Sequence, residues 1–337
     1  MQNCTAEDAG AHKTPKLTVS NPPFGHAGER YLNEMFQDIG GFEGNAQTLR
    51  ILTNIEKKRP EFRGLNLTYR SMLSVVKYFN KFNAEKFKND KKSQKFIYDE
   101  DYDLLKKFVD ENAIKVRTLD VQIVDIADEI AYAAHDLEDG LRVKAFTIDE
   151  ILHDYKAKYG ETESYSVFEE NVNEARKKAG YGTNKIDSTQ YSKLFRQELA
   201  SRLINLALND IDLVPVTDDM RNKTNTMQTE ELGFSKYEEL IHGLKDIVFR
   251  CINHNDDVYH YEQQGRKVIK FLKELYSEER MYLPPEYRAK EIMEQYEDLK
   301  DVDANRLQDR LICDYIAGMM DSYAISVYEK FSGQKFM

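Results

Sequence analysis

DIADEIAYAAHDLED, residues 125–139, is the stretch of the chain that decides the fold. Asp125, Asp128, Tyr132, Asp136 and Asp139 recur at spacings of three or four residues, which places them along one stripe of an α-helix. Acidic side chains this close to apolar ones are costly to bury unless they meet a metal or hydrogen-bond donors. The residues alone leave two interpretations open, a solvated acidic face and a binding site. The apolar flanks are Ile123, Ile126, Ala127, Ile130, Ala131 and Ala134.

Helical spacing continues on both sides of this stretch. The chain has only seven prolines, and alternating β-branched runs are scarce, so the sequence predicts an all-α protein. Loops are predicted at 180–184 and 214–229. Helices are predicted at about residues 25–36, 45–57, 69–79, 119–140, 147–159, 165–178, 189–208, 235–252, 256–277, 286–298 and 304–331.

Composition narrows the class of protein. A hydrophobic content of 41% with 32% charged residues is typical of a globular chain, and no apolar run is long enough for a membrane helix. The formal net charge of -11 disfavours an extended nucleic-acid surface or an anionic membrane as partner, although a local cationic pocket remains compatible with it. Cys4, Cys251 and Cys313 match no disulfide framework or zinc spacing, which favours a reducing cytoplasmic setting.

Five segments, in chain order, carry a family resemblance. They are NPPFGHAGE at 21–29, GGFEGNAQTLR at 40–50, GLNLT through Lys-Tyr at 64–78, IADEIAYAAHDLED at 126–139 and CDYIAGMMDSYA at 313–324. Together they resemble the dGTPase-type deoxynucleoside triphosphate triphosphohydrolases, a branch of the HD-domain metal hydrolases. The resemblance covers about residues 21–331 and implies an all-α, HD-domain-like fold. It also implies hydrolysis of a dNTP, often dGTP, to a deoxynucleoside and intact triphosphate by a cytoplasmic homo-oligomer.

The resemblance assigns roles to five residues. His26 and Glu29, at i and i+3, would handle protons beside the α-phosphate. Asp128 would be the last metal ligand, Tyr132 would pack against the deoxyribose, and Asp136 would bind its 3′-hydroxyl. From the residues alone, a His three positions from a Glu is equally compatible with an ordinary surface pair.

Three further residues are candidate substrate contacts. Lys77 is the best cationic candidate for the triphosphate, with an ordinary helix-end lysine as the alternative. Asn45 and Gln47 follow a Gly-rich turn that opens a helix, where backbone N–H groups can face an anion. Bracing of neighbouring helices explains Asn45 and Gln47 equally well. Six lysines lie within residues 80–95, at 81, 86, 88, 91, 92 and 95, and predict a solvated loop in which only an end residue would contact phosphate.

The metal site departs from the family pattern. The family places a His-Asp pair directly before the NPPFGH segment, and those two positions here are Leu17 and Thr18. A divalent cation, Mg²⁺ or Mn²⁺, is implied by the resemblance, yet Asp128 is the one family ligand that is present, and catalytic sites use three or more. Two interpretations remain open. The chain is a fragment of a triphosphohydrolase, inactive as written, or it is a non-catalytic homologue that binds nucleotide or a partner.

The point at which the family resemblance begins also predicts two regions in the chain. Residues 1–19 predict an irregular tail outside the family match, and residues 20–337 predict the triphosphohydrolase-like helical domain. If the first helices of the family fold are missing, apolar side chains that they would cover become exposed. The candidates for such exposure are Phe24, Leu32, Phe36, Ile123 and Ile130.

Overall fold

The computed structural model describes residues 22–83, 94–184, 186–253 and 256–336. The predicted irregular tail at 1–19 and the centre of the lysine-rich segment lie outside these ranges. Helices dominate the described residues, and the one sheet among them has two short strands, so the all-α prediction is confirmed. Within the described ranges, no helix combines the length and apolar character needed to cross a membrane.

The regular elements follow one another in short steps along the chain. The first part contains α1 (Gly25–Met35), α2 (Gly44–Arg50), α3 (Tyr69–Leu73), α4 (Asp99–Glu111), α5 (Leu119–Ala131), α6 (Leu137–Val143), α7 (Ile148–Tyr159), α8 (Glu163–Lys178) and α9 (Ser188–Leu208). The second part contains β1 (Ile211–Pro215), α10 (Asp218–Thr224), β2 (Glu230–Phe234), α11 (Glu238–Asn253), α12 (Asp256–Glu278), α13 (Ala289–Gln295), α14 (Ala304–Ala317) and α15 (Asp321–Ser332).

The elements group into two compact units. Of the described residues, unit 1 takes those within 1–117, 219–227 and 260–337, and unit 2 takes those within 118–218 and 228–259. Each unit has its own apolar core.

Helix α1 lies in the core of unit 1. Leu32 of this helix, Phe36 at its C-cap and Phe24 at its N-cap are 0%, 2% and 5% exposed. They belong to the same buried cluster as Ile269 of α12 and Ile312 of α14. The prediction that these three side chains are exposed is therefore wrong, because helices from the C-terminal third of the chain cover them.

Helix α4 is the largest helix that the sequence does not predict. Most of its residues are charged, which hides a narrow apolar stripe in which Leu105 and Val109 are buried against Phe79. Three acidic residues in its first turn favour the helix by interacting with its dipole. The helix predicted at 69–79 is shorter in the structure, where α3 ends at Leu73.

Unit 2 is built around the helix that carries the acidic stripe. Helices α5 and α6 are joined without a break by a π-helical turn, Tyr132–Asp136, so the helical path runs from 119 to 143. Ile130 is 6% exposed within the unit 2 core, which contradicts its predicted exposure. Helices α7, α8, α9 and α11 supply the rest of that core. Ile123, by contrast, is 52% exposed, as predicted.

The strands of a β-hairpin in unit 2 flank the predicted loop at 214–229 and overlap it only at 214–215. Strands β1 and β2 are antiparallel, with Leu213 opposite Leu232, and α10 lies between them in the chain. Asp210 fixes the end of the hairpin, because its carboxylate accepts hydrogen bonds from Ser235 Oγ and from the backbone N–H groups of Lys236 and Tyr237. Two five-residue strands give too short a pattern to recognise in the sequence.

Candidate active site

The His26–Glu29 pair lies on α1, one helical turn apart, in unit 1. His26 Nδ1 is 3.8 Å from Glu29 Oε2, with the imidazole side chain 55% exposed and the carboxylate 14% exposed. A Pro-Pro pair at 22–23 precedes the helix and leaves His26 in its first turn. The imidazole is therefore open to solvent on one side and held by a largely buried carboxylate on the other.

Lys95 links Glu29 to a second, fully buried carboxylate. Its Nζ lies 2.8 Å from Glu43 Oε1 and 3.4 Å from Glu29 Oε1. Glu29 Oε1 also accepts from the Gly44 N–H at 3.3 Å, and Asn45 Nδ2 donates to Glu43 Oε1 at 2.8 Å. Glu43 is at the same time the N-cap of α2, accepting from a backbone N–H through its other oxygen. The Gly-rich turn thus presents its residues to one charged cluster.

The pKa values of the cluster follow from burial and its charges. Burial alone would raise the pKa of Glu29, but the neighbouring His26 imidazole, the Lys95 charge and the Gly44 N–H outweigh it and lower that pKa to about 2. Burial raises the pKa of Glu43, in spite of Lys95. The two carboxylates in turn hold the pKa of the Lys95 ammonium above its ordinary value, against the effect of burial. Glu29 is therefore ionised at neutral pH.

Lys77 lies beside the same cluster through the ring of Tyr78. Lys77 Nζ is 5.8 Å and Lys95 Nζ 5.9 Å from the centre of that ring, near the outer limit of a cation–π contact. Arg117 donates a 3.1 Å hydrogen bond to the Lys77 carbonyl and ties down its backbone. Two ammonium groups are thus brought near one aromatic ring. Lys95 is an end residue of the lysine-rich segment, the kind of position at which the sequence allows a phosphate contact.

Gln47 is held at both ends of its amide. Its Nε2 donates to Asp314 Oδ1 at 2.9 Å, and its carbonyl oxygen accepts from Tyr98 at 3.0 Å, leaving the residue 1% exposed. Arg50 pairs with the same Asp314 at 2.8 Å, and Arg310 stacks its guanidinium 4.0 Å over the Tyr98 ring. This geometry gives Gln47 a bracing part, and its contact with substrate stays a prediction. Asn45 is half-buried beside the charged cluster, and its contact with substrate also stays a prediction.

Asp128, Tyr132 and Asp136 lie on the α5–α6 helical path in unit 2. Asp128 and Tyr132 are half-buried and Asp136 is exposed. The π-helical turn begins at Tyr132 and ends at Asp136, where the sequence predicts an uninterrupted α-helix. Such turns occur frequently at functional sites. The assigned roles of these residues stay predictions.

Tyr132 is contacted by a lysine that the sequence analysis does not predict to be part of the site. Lys245 of α11 places its Nζ 4.9 Å from the centre of the Tyr132 ring and 2.9 Å from Glu129 Oε1. His242 Nε2, on the same helix, is 3.8 Å from Glu129 Oε2. Glu129, which stands where the family has a second Asp, is thus engaged by α11. Nothing in the spacing of Lys245 could have indicated this contact, because it depends on how α11 packs against the π-helical turn.

A divalent metal finds no complete ligand set among the described residues. No group of three or more His, Cys, Asp or Glu side chains within those ranges could hold a metal ion. Asp128 stays the single assigned ligand, and one carboxylate does not make a tight site. The described residues therefore do not fit the metal that the resemblance implies.

Comparison with known proteins gives the family. Residues 234–330 match the model of a phosphohydrolase-associated domain. A Vibrio cholerae protein named deoxyguanosinetriphosphate triphosphohydrolase-like protein 2 is 37% identical over 322 residues, covering 94% of this chain and 71% of the relative. A protein from Bartonella henselae named deoxyguanosinetriphosphate triphosphohydrolase-like protein is 30% identical over 91% of this chain and 70% of its own length. A protein of the same name from Aliivibrio fischeri is 28% identical over 93% of this chain and 74% of its own length. The chain belongs to the family of deoxyguanosinetriphosphate triphosphohydrolase-like proteins.

Proposed function

We propose that this chain supplies the nucleotide-binding and proton-transfer residues of a dNTP triphosphohydrolase acting on dGTP. The reaction adds water to the α-phosphate, breaks its bond to the 5′ oxygen of the sugar, and returns a proton to that oxygen. The products are a deoxynucleoside and intact triphosphate. Family membership supports the reaction class, and the charged cluster around Glu29 supports the assignment of residues.

The observation that carries the proposal is the His26–Glu29–Lys95 arrangement. Glu29 stays anionic because its pKa lies near 2, and it faces Nδ1 of an imidazole that is 55% exposed. An anion at one ring nitrogen orients the imidazole and raises its basicity, so the other nitrogen can exchange a proton with water or with the leaving oxygen. We assign His26 as the proton-transfer residue and Glu29 as its positioning residue.

Lys77 and Lys95 are the cations of the proposed phosphate site. Lys95 pairs with two carboxylates, and Lys77 Nζ lies 5.8 Å from the centre of the Tyr78 ring. We assign Lys77 to the triphosphate, whose charge an ammonium can offset. Asn45, next to Lys95, is a further candidate contact.

The sugar contacts are assigned to Tyr132 and Asp136. A half-buried tyrosine ring offers an apolar face to a deoxyribose, and Lys245 at 4.9 Å fixes the orientation of Tyr132. Asp136, exposed four residues later, can accept a hydrogen bond from a 3′-hydroxyl.

A non-catalytic nucleotide-binding homologue is the second candidate. The observation that favours it is the lack of a three-ligand metal group within the described ranges. The two candidates share the binding residues and differ in whether turnover appears once the family's upstream His and His-Asp ligand motifs are supplied.

Nucleotide binding by this chain tests the property that both candidate functions share. Isothermal titration with dGTP in the presence of a chelator should give saturable binding that weakens about tenfold or more in Lys77→Met, since a lost charge-assisted contact costs on the order of 1.5–3 kcal/mol. The matched control is Lys106→Met, because Lys106 is exposed and pairs with Asp110 one turn away on α4. Equal affinities of the two variants would remove Lys77 from the site.

Turnover by the same chain is the companion measurement. With Mg²⁺ or Mn²⁺ added, we expect dGTP hydrolysis no faster than that of His26→Ala, because the described residues hold one assigned ligand. Hydrolysis that requires both the metal and His26 would show that the chain already contains a working metal site.

A further inference from the structure

A cavity in unit 2, apart from all the residues assigned above, has the chemistry of an anion site. It is an open cavity of about 410 Å³ between the end of α6, the start of α7 and the first half of α9. We call it the Arg196 pocket. The residues on which the argument depends are Lys144, Phe146, Thr147, Ser192, Phe195 and Arg196.

Arg196 is the central group of the Arg196 pocket. The residue is half-buried, and its Nη1 donates a 2.7 Å hydrogen bond to Ser192 Oγ, one turn earlier on α9. Its Nε is buried and has no hydrogen-bond acceptor among the described residues. Within the same ranges no carboxylate forms an ion pair with its guanidinium. A buried donor without an acceptor is unfavourable, so the described residues do not use the full hydrogen-bonding capacity of this guanidinium.

The rest of the Arg196 pocket supports an anionic ligand. Lys144, on its rim, is exposed and forms no ion pair with another described residue. Ser192 and Thr147 contribute hydroxyl groups, and the buried rings of Phe146 and Phe195 form apolar wall. Two cations, two hydroxyls and an apolar wall are the polar and apolar parts of a small-molecule site, and the volume falls within the usual range for one.

Glu150 is the opposing charge on the rim. Its carboxylate is already engaged, because Oε2 accepts from the Thr147 N–H at 2.6 Å in the capping box of α7. The lining therefore keeps a net positive charge, counting Lys144 and Arg196 against Glu150.

We propose that the Arg196 pocket binds a small molecule that carries a phosphate group, with the phosphate between Arg196 and Lys144. A planar guanidinium carries several N–H donors that match phosphate oxygens, and Arg196 lines the pocket without a carboxylate partner among the described residues. The pocket lies at the far end of the α5–α6 helical path from Asp128, about 20 Å away at 1.5 Å per residue. It is therefore a site additional to the proposed function and does not depend on it.

Titration calorimetry of the whole chain with inorganic phosphate, ribose 5-phosphate and dGMP tests the proposal and separates free phosphate from a sugar phosphate. Arg196→Met should weaken binding of the best probe by about tenfold or more, and Ser192→Ala by less. Glu150→Gln should strengthen it. Lys193→Met, which removes an exposed lysine of the same helix outside the pocket, should leave the affinity unchanged.

The Lys77→Met variant separates this site from the proposed nucleotide site, because binding in the Arg196 pocket should survive it. Far-ultraviolet circular dichroism checks that each variant is folded, and Ser192→Ala provides a reading if Arg196→Met is not. No saturation by any of the three probes at low-millimolar concentration would overturn the proposal. So would equal affinities of Arg196→Met and Lys193→Met.

Discussion

Asp314 should be among the most sensitive positions in unit 1. Arg50 donates from Nε to both of its carboxylate oxygens, at 2.9 and 2.8 Å, and Gln47 donates to Oδ1 at 2.9 Å. The side chain of Asp314 is 0% exposed and that of Arg50 is 8% exposed. Burial lowers the pKa of the Arg50 guanidinium, but the Asp314 carboxylate more than reverses this effect and raises it. The buried Arg50 guanidinium is therefore charged, and it depends on the Asp314 carboxylate.

Replacing Asp314 by alanine leaves a guanidinium and an amide buried without their acceptor. Removal of one partner from a buried ion pair costs about 3–5 kcal/mol, a large part of a typical total stability of about 5–15 kcal/mol. For a unit of this size, that loss lowers the midpoint of its thermal transition by about 6–20 °C. The double change Arg50→Met with Asp314→Leu should cost less than Asp314→Ala alone, because no unpaired charge is left.

Scanning calorimetry and hydrogen exchange of the α2 and α14 peptides measure the effect. Asp110→Ala is the control, since it breaks an exposed ion pair of α4 in the same unit and should change stability by less than about 1 kcal/mol. If Asp314→Ala were as mild as Asp110→Ala, or milder than the double change, the buried pair would not hold the 40–50 segment in place.

Three other changes test separate parts of the structure. The pKa of Glu29 is lowered from 4.5 to about 2 on folding, so its ionised carboxylate adds about 3 kcal/mol to the free energy of unfolding above pH 4.5, and this stabilisation is lost as the pH falls toward 2. Urea unfolding of Glu29→Gln should lack this pH dependence, and a pH profile equal to that of the wild type would contradict the charged cluster. Gly140→Ala places a methyl group on the Phe146 ring and should cost about 1–3 kcal/mol, whereas Gly318→Ala, with its nearest neighbour 3.5 Å away, should melt close to wild type; equal melting of the two would refute that packing. Ile123→Lys should leave the unfolding free energy within about 0.5 kcal/mol and reduce light scattering on heating, since Ile123 is 52% exposed; a loss of several kcal/mol would show that the side chain is buried.

The sequence predicts those parts of the fold whose cause is local. Helices α1, α7, α8 and α9 begin and end within about two residues of the prediction, because their apolar spacing is explicit in the chain, as are the N-cap residues of the last three. The predicted helix at 304–331 is instead two helices, which separate at Gly318. Helix α4 and the β-hairpin depend on which neighbours cover a short apolar stripe, and one sequence does not contain that information.

The candidate site divides in the same way. The His26–Glu29 contact follows from i, i+3 spacing on a helix, so the sequence could indicate it. Lys95 comes from a segment 66 residues further along, and Lys245 reaches Tyr132 from a separate helix, so tertiary packing alone brings them in. The exposure predicted for Phe24 failed for the same reason, because α12 and α14 fold back over α1.

Product analysis of dGTP turnover tests the central claim most directly. A chimaera that joins the family's upstream His and His-Asp motifs to residues 21–337 would be incubated with dGTP and Mn²⁺, and its products followed by ³¹P NMR. We expect deoxyguanosine and intact triphosphate, with a rate that falls by about 10²–10⁴-fold in the His26→Ala version, the usual contribution of general acid–base catalysis. Release of pyrophosphate, a rate insensitive to His26, or no turnover from a folded chimaera that binds dGTP would contradict the assignment.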